Sequence, residues 1–357
     1  MFWAGLLRAF GVLPLAKTLV RRRGAIVLTF HRVLSDDELA QTASLPGMVV
    51  RRETFSAFLK YAAEHCQFLD LRREPDWQRS TKLKLAVTFD DGWFDNATSA
   101  HPIAREHRAP MVIFIVPEKT GAEFPFWPER AVTALDESLS TEGERQNPGY
   151  IEQTIETLKG LTADKRNQRI DQMASDRKTE MSAGHVDRTM TWEQIAQLRR
   201  EGVTFGSHTS THEILTAIPI AQAEIEIAGS RERIEEKLGG TCDLFAYPNG
   251  DCSTQVRESV QRAGYKLAFL NQDPGVWTER TDRFSVPRVN VCEYHLVDES
   301  GNFSPLIFEY AVVWSAAKGL MATIRKNFLR QLRSRFFQSL APGAGGQSGK
   351  KQLEKSS

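Results

Sequence analysis

The chain carries two adjacent carboxylates, Asp90 and Asp91, and two imidazoles four residues apart, His208 and His212, in the run His-Thr-Ser-Thr-His. Two carboxylates side by side repel, and one must rise in pKa unless a cation is present. A metal ion resolves the conflict by taking one as ligand and leaving the other as base. The i, i+4 spacing of the histidines predicts both rings on one side of a helical turn, the geometry by which such pairs chelate zinc. Joined with Asp91, they form a mixed carboxylate and imidazole set with open positions for water and substrate. That set suits a catalytic divalent ion, Zn²⁺ ahead of Co²⁺ or Ni²⁺. Each residue alone has a plainer reading: an aspartate after a strand is commonly a helix N-cap, and a lone histidine is commonly a satisfied core or surface residue.

These residues stand at the ends of short runs that are apolar at nearly every position. His31 follows residues 25–30; Asp90, Asp91 and Gly92 follow residues 83–89; Ser207 and His208 follow residues 203–206. Pro248, Asn249 and Gly250 follow residues 244–247, and similar runs occupy 111–116 and 267–270. Continuous runs rich in Val, Ile and Phe suit parallel strands covered on both faces. Between them, residues 54–64 put Phe55, Phe58, Leu59 and Ala62 on one helical face. Thr-Trp-Glu-Gln at 191–194 reads as a capping box with Met190 and Ile195 as its hydrophobic staple, and Gly202 as the stop. Residues 253–263, ended by Gly264, read as another helix. Strands alternating with helices imply an α/β fold. Polar residues recurring at one strand end favour a distorted (β/α) barrel of about seven parallel strands, with catalytic groups at its carboxyl mouth.

The bulk properties bound the rest. A length of 357 residues accommodates one barrel, and 41% hydrophobic with 25% charged residues is ordinary soluble composition. A formal charge of +1 gives no global reason to expect nucleic acid. Cys66, Cys242, Cys252 and Cys292 show no C-x-x-C spacing, which argues against a zinc knot or disulfide framework and fits a reduced, cytoplasmic compartment.

The chain divides into an N-terminal amphipathic segment (1–24), the barrel (25–300) with a charged helical insertion or lid (about 123–188), a helical extension (301–342) and a disordered tail (343–357). Residues 1–20 lack a basic start and a cleavage site, and Arg8, Pro14 and Lys17 interrupt them, so a signal peptide is not expected. In the extension, Leu320, Ile324, Phe328, Leu332 and Phe336 recur every four residues among lysines and arginines. Residues 318–340 thus read as a basic amphipathic helix, suited to an anionic membrane surface or to docking on its own domain. Peripheral contact with the inner membrane through 1–23 and 318–340 is the matching expectation. Nothing in the pattern speaks to oligomeric state.

Val-Thr-Phe-Asp-Asp-Gly at 87–92, Ser-His-Thr-Ser-Thr-His at 207–212 and Phe-Ala-Tyr-Pro-Asn-Gly at 245–250 together resemble the first three motifs of the polysaccharide deacetylases, carbohydrate esterase family 4. The likeness covers about residues 25–292. It implies that Asp90 is the general base, that Asp91, His208 and His212 bind the metal, and that the backbone N–H of Asn249 helps hold the oxyanion. Water acidified towards pKa ~7 beside a zinc-type ion then attacks the acetyl carbonyl, and an acid protonates the departing sugar amine.

Two departures matter. Members of the family often carry an arginine in the third motif that pairs with the base, and here Ala246 stands there; Arg288, in Ser-Val-Pro-Arg-Val at 285–289, is the candidate substitute. The C-terminal L-x-H motif that supplies the acid is missing, His295 being a poor match. His31, in Leu-Thr-Phe-His-Arg-Val at 28–33, resembles the opening of a branch in which that motif moves to the N-terminus, a harmless permutation around a closed ring.

The function expected is therefore metal-dependent removal of acetyl groups from N-acetylated sugars of a glycan or a lipid-linked precursor. An O-acetyl esterase is the near variant. A catalytically lapsed scaffolding or glycan-binding subunit is the alternative from another class, since fold alone does not fix function.

Overall fold

The computed structural model describes residues 2–77, 80–138, 148–161, 163–174, 186–271 and 275–325. Among these described residues ten strands are present: β1 (Ala25–Phe30), β2 (Arg32–Leu34), β3 (Val49–Arg51), β4 (Cys66–Phe68), β5 (Leu83–Phe89), β6 (Met111–Ile115), β7 (Thr204–Ser207), β8 (Leu244–Ala246), β9 (Leu267–Phe269) and β10 (Arg288–Asn290). Seven run in the order β10-β1-β5-β6-β7-β8-β9, all pairs parallel, with β4 added beside β5. A parallel bridge between Phe269 and Val286, two residues before β10, brings the ends of the order together. The result is a nearly closed barrel of seven parallel strands, as the alternating pattern predicts.

The unbroken apolar character of the strands has a direct cause. In β1, Ala25 and Val27 join Ala86, Val112, Phe114, Leu244, Ala246 and Phe269 in one cluster inside the ring. The alternate residue Phe30 packs outward on Phe55 and Phe58 of the helix Arg52–His65, with ring centroids 5.2 and 6.0 Å away. Both faces of the strand are therefore withdrawn from water, so neither can be polar. Removing such a ring, as in Phe58→Ala, typically costs about 3–5 kcal/mol.

The capping box at Thr191 is present, its hydroxyl accepting the Gln194 N–H and the Gln194 side chain returning to the Thr191 N–H. Ser253 caps the helix Thr254–Arg262. The helix expected at 54–64 spans Arg52–His65. Beyond the strand ends, β2 and β3 pair in parallel as a separate two-stranded ribbon, which fixes Arg32 directly after His31. The region 123–188 contributes the helices Trp127–Ser138, Pro148–Lys159 and Ala163–Ala174. All four cysteines are free, and Cys66, Cys242 and Cys292 are buried.

Residues 1–319 form one compact unit and 320–357 a second. The final helix of the first unit begins at Pro305, well before residue 318, because Ser304 caps it through the Ile307 N–H and proline is favourable at a helix start. Among the described residues, the 21-residue run Pro305–Arg325, of mean hydropathy 1.2, is long and apolar enough to cross a membrane by length and composition. Residues 326–357, which include most of the expected amphipathic helix and the whole expected tail, lie outside the described residues, as do 139–147, 162 and 175–185 within the insertion.

Candidate active site

The strand ends deliver their residues to one place. Asp90 and Asp91 follow β5, His208 follows β7, and Arg288 opens β10. The ligand atoms of Asp91, His208 and His212 all lie within 4.8 Å of one another. Oδ1 of Asp91 is 3.3 Å from Nε2 of His212 and 3.7 Å from Nε2 of His208. Ligands ~2.0–2.1 Å from a tetrahedral ion stand roughly 3.3–3.4 Å apart, so the cluster is close to that size. Asp91 Oδ1 is buried without a hydrogen-bond partner, while Oδ2 accepts from Trp93 Nε1 at 3.0 Å. A buried carboxylate oxygen left open on the side of two imidazoles is the signature of a cation site, and the residues fit a divalent metal.

His208 is oriented for that purpose. Its Nδ1 lies 2.8 Å from the carbonyl oxygen of Ala246, which can only accept, so Nδ1 carries the proton and Nε2 presents a lone pair to the cluster. Burial pushes its pKa down to about 4, against the pull of Asp90, so the ring stays neutral across physiological pH. Burial raises Asp91, but the imidazole of His212 beside it more than offsets this and holds the carboxyl well below the usual range.

The two histidines do not share a helical turn. Residues 208–212 form a loop in which Thr209 and His212 adopt φ of 67° and 71°. The Thr209 hydroxyl accepts the His212 N–H at 3.0 Å and folds the segment back on itself. This corrects the helical reading of the spacing: a left-handed turn after β7 achieves the same convergence. Strain concentrates here. The non-glycine residues at positive φ are Asp91, Arg108, Phe124, Thr209, His212 and Asn249, and four of those six belong to this mouth. Gly92, at φ 74°, completes the turn, and a Cβ there would meet Ile115 Cγ2 at 2.9 Å.

Arg288 is fully buried and grips Asp90 with both prongs: Nη1 to Oδ1 at 2.7 Å and Nη2 to Oδ2 at 2.7 Å. Its Nε donates to the Leu270 carbonyl at 3.0 Å. Burial pushes the Asp90 carboxyl up, but the Arg288 guanidinium, with His208 and His31, outweighs it and leaves the group below its ordinary value. Oδ2 of Asp90 also stands 3.8 Å from His208 Nε2, which places the second carboxylate beside the cluster. Arg288 is thus part of the barrel's interior and not of its surface.

His31 follows β1, and its charge bears on both Asp90 and Asp91. Its Nδ1 is buried without a hydrogen-bond partner. His295 is engaged elsewhere, its Nδ1 3.2 Å from both the backbone N and Sγ of Cys292. Asn249 is exposed in a left-handed turn at φ 57°, its side chain donating to Asp251 Oδ2 at 2.7 Å.

A second layer has no counterpart in the motif reading. Arg32, fully buried, donates to Asp95 Oδ1 at 2.7 Å and Asp187 Oδ1 at 2.6 Å, and lies 4.2 Å over the Trp93 ring. Trp93 in turn holds Asp91. Glu129, on the helix Trp127–Ser138, is 1% exposed; Oε1 accepts from Ser44 at 3.3 Å and Oε2 has no partner. Burial pushes its pKa up to about 8, with the Asp91 charge adding to the rise. Trp93 and Arg32 each stand beside a motif residue and could have been suspected on that ground. Asp187 and Glu129 lie in the insertion, where no local pattern marks them.

The class is defined by a seven-stranded parallel barrel whose carboxyl mouth holds an Asp-His-His cluster beside a second, arginine-paired carboxylate. The family model described as polysaccharide deacetylase matches residues 78–268, and the chain belongs to that family. YxkH of Bacillus subtilis (strain 168), which carries the same family name, is 24% identical over 110 residues; that match spans 31% of this chain and 39% of YxkH. Among solved structures, the deacetylase PplD of Streptococcus pyogenes, in complex with acetate, superposes with a TM-score of 0.53 at 18% identity, covering 81% of this chain and 98% of PplD. IcaB from Ammonifex degensii gives 0.51 at 18% identity, covering 82% and 97%. These two likenesses speak to the fold.

Proposed function

We propose that the protein is a metal-dependent hydrolase that removes acetyl groups from the N-acetylated sugars of a glycan or glycan precursor. The observation that carries this reading is the bidentate Arg288–Asp90 pair set beside the Asp91, His208 and His212 cluster. A lapsed scaffold has no use for a buried carboxylate held ionised beside a cation site, because both features cost folding energy.

Asp91, His208 and His212 would hold a divalent ion, which would supply Lewis-acid chemistry for the water and the acetyl carbonyl. Asp90, kept ionised by Arg288, takes the proton of the attacking water. Asn249, in the left-handed turn after β8, is the residue whose backbone N–H serves the oxyanion in this reading. His31, at the end of β1, gives a proton to the departing amine. Arg32 and Trp93 act through Asp91, holding its orientation.

The test is acetate release from N-acetylglucosamine oligomers by protein loaded with Zn²⁺, Co²⁺ or Ni²⁺, compared with chelator-treated protein. Metal-dependent release supports the proposal. Failure on both N-acetylated and O-acetylated glycans with metal bound would overturn it.

A further inference from the structure

The N-terminal residues form two helices, Phe2–Ala9 and Val12–Arg23, bent by 74° at Phe10 and Gly11. The second helix packs on the domain through Leu13, Ala16 and Val20, and Lys17 reaches Glu309 at 2.6 Å. The first helix turns the other way. Its buried residue is the small Ala4, while Phe2 and Trp3 are 73% and 67% exposed and Phe10, just beyond it, is 80% exposed. At about 100° per residue, Phe2, Trp3, Leu6, Leu7 and Phe10 fall in one sector, Ala4 lies beyond its edge and Arg8 nearly opposite. The helix is therefore amphipathic with its apolar side outward.

Among the described residues, the large apolar side chains exposed by two-thirds or more are Phe2, Trp3, Phe10, Leu15 and Ile225; only Ile225 lies outside this hairpin. Such a concentration marks an interaction surface rather than the ordinary scatter of apolar atoms. Its charge says what kind. Arg8, Lys17, Arg21, Arg22 and Arg23 stand in residues 2–24 with no acidic residue among them. An aromatic apolar face flanked by unbalanced basic groups matches the interface of an anionic bilayer, where aromatic rings sit at headgroup level and each arginine gains from the surface potential.

We infer that the hairpin 2–23 is a docking surface for an anionic lipid bilayer, with Phe2, Trp3 and Phe10 entering the interface and Arg22 and Arg23 resting on the headgroups. The 74° bend lets the first helix lie in the plane of the surface while the second stays packed on the domain. This surface sets where the protein works and leaves open which bond it hydrolyses, so it stands apart from the function proposed above.

The test uses the full chain in flotation with vesicles of phosphatidylcholine alone or with 30–40 per cent phosphatidylglycerol (a composition in the range of ~1/3 anionic lipid that gives a strong surface potential), at low and high salt. Binding should require the anionic lipid and weaken with salt. The double variant Trp3→Ser, Phe10→Ser should bind at least about tenfold more weakly, and Arg22→Glu, Arg23→Glu likewise, since each basic group contributes about fivefold. Circular dichroism and metal content should match the parent in both. Equal binding to neutral vesicles, or binding unchanged in both variants, overturns the inference. So does a lipid-free dimer that the Trp3→Ser, Phe10→Ser variant disperses, which would give this face to a second copy. Retention in carbonate-washed membranes would show a spanning segment, and a mature N-terminus beginning after residue 23 would show a removed one; either result also overturns it.

Discussion

Arg288 meets Asp90 through two parallel hydrogen bonds of 2.7 Å, one to each carboxylate oxygen, although the two residues are 198 positions apart. The pair is buried on both sides, so the guanidinium's charge acts on the carboxylate with little screening. The pair reaches across β1, since β10 and β5 stand on either side of that strand.

Arg288→Ala should therefore raise the Asp90 pKa, because the strongest force opposing burial is then gone. The group is depressed in the native protein, so its ionised form persists below the ordinary carboxylate range; without Arg288 the acidic limb of kcat/KM moves to higher pH. Activity near neutral pH should fall roughly 10²-fold or more. Arg288→Lys keeps the charge but loses the fork and should fall between. A pH–rate profile with an unmoved acidic limb would refute the pairing role. Leaving a buried carboxylate unpaired also costs about 3–5 kcal/mol, so denaturation should be followed alongside.

Asp91→Ala and His208→Ala should each abolish binding of about one equivalent of metal, measured on the purified protein with the fold checked by circular dichroism. Asp90→Asn should keep the metal and lose hydrolysis. Metal retained in both ligand variants would mean that the ion binds elsewhere.

Much of this was legible from residue order. Six of the seven barrel strands announce themselves as continuous apolar runs, because each is covered inside by the ring's own core and outside by a helix. β10 does not: at three residues, with Arg288 at its head, its composition is that of a loop. The Asp91, His208 and His212 set was recognisable because local turns carry it. The manner of convergence was not, since four-residue spacing fits a helical turn and a left-handed loop equally well, and only the neighbouring backbone decides between them. Glu129 and Asp187 were invisible for a different reason: they reach the site by tertiary packing of the insertion, which leaves no periodic trace.

His31→Gln should separate proton donation from the rest of the reaction. With N-acetylglucosamine oligomers, whose amine must be protonated as it leaves, kcat should drop about 10²–10³-fold. With 4-nitrophenyl acetate, whose leaving group departs without a proton, the rate should stay within a few-fold of the parent. Equal losses on both substrates would remove His31 from the acid role.

Glu129→Gln should stabilise the protein at alkaline pH. The folded pKa of Glu129, about 8, lies above its unfolded value, so the native state binds the extra proton between them. Its contribution is complete below the unfolded pKa and is lost as pH rises towards 8, with a limiting slope of about 1.4 kcal/mol per pH unit. Glutamine removes that loss. Chemical denaturation at pH 5 and pH 8 should show the variant gaining on the order of 3–4 kcal/mol relative to the parent over this interval. A pH-independent difference would mean that Glu129 is charged in the native state.

The segment from Val286 to Asn290 touches β9 at one end and β1 at the other. A ribosome must therefore have delivered nearly 290 residues before Asp90 finds its guanidinium. Until then the carboxylate has no guanidinium beside it and relies on water. The buried pair is thus among the last contacts to form, when the final stave of the barrel drops into place.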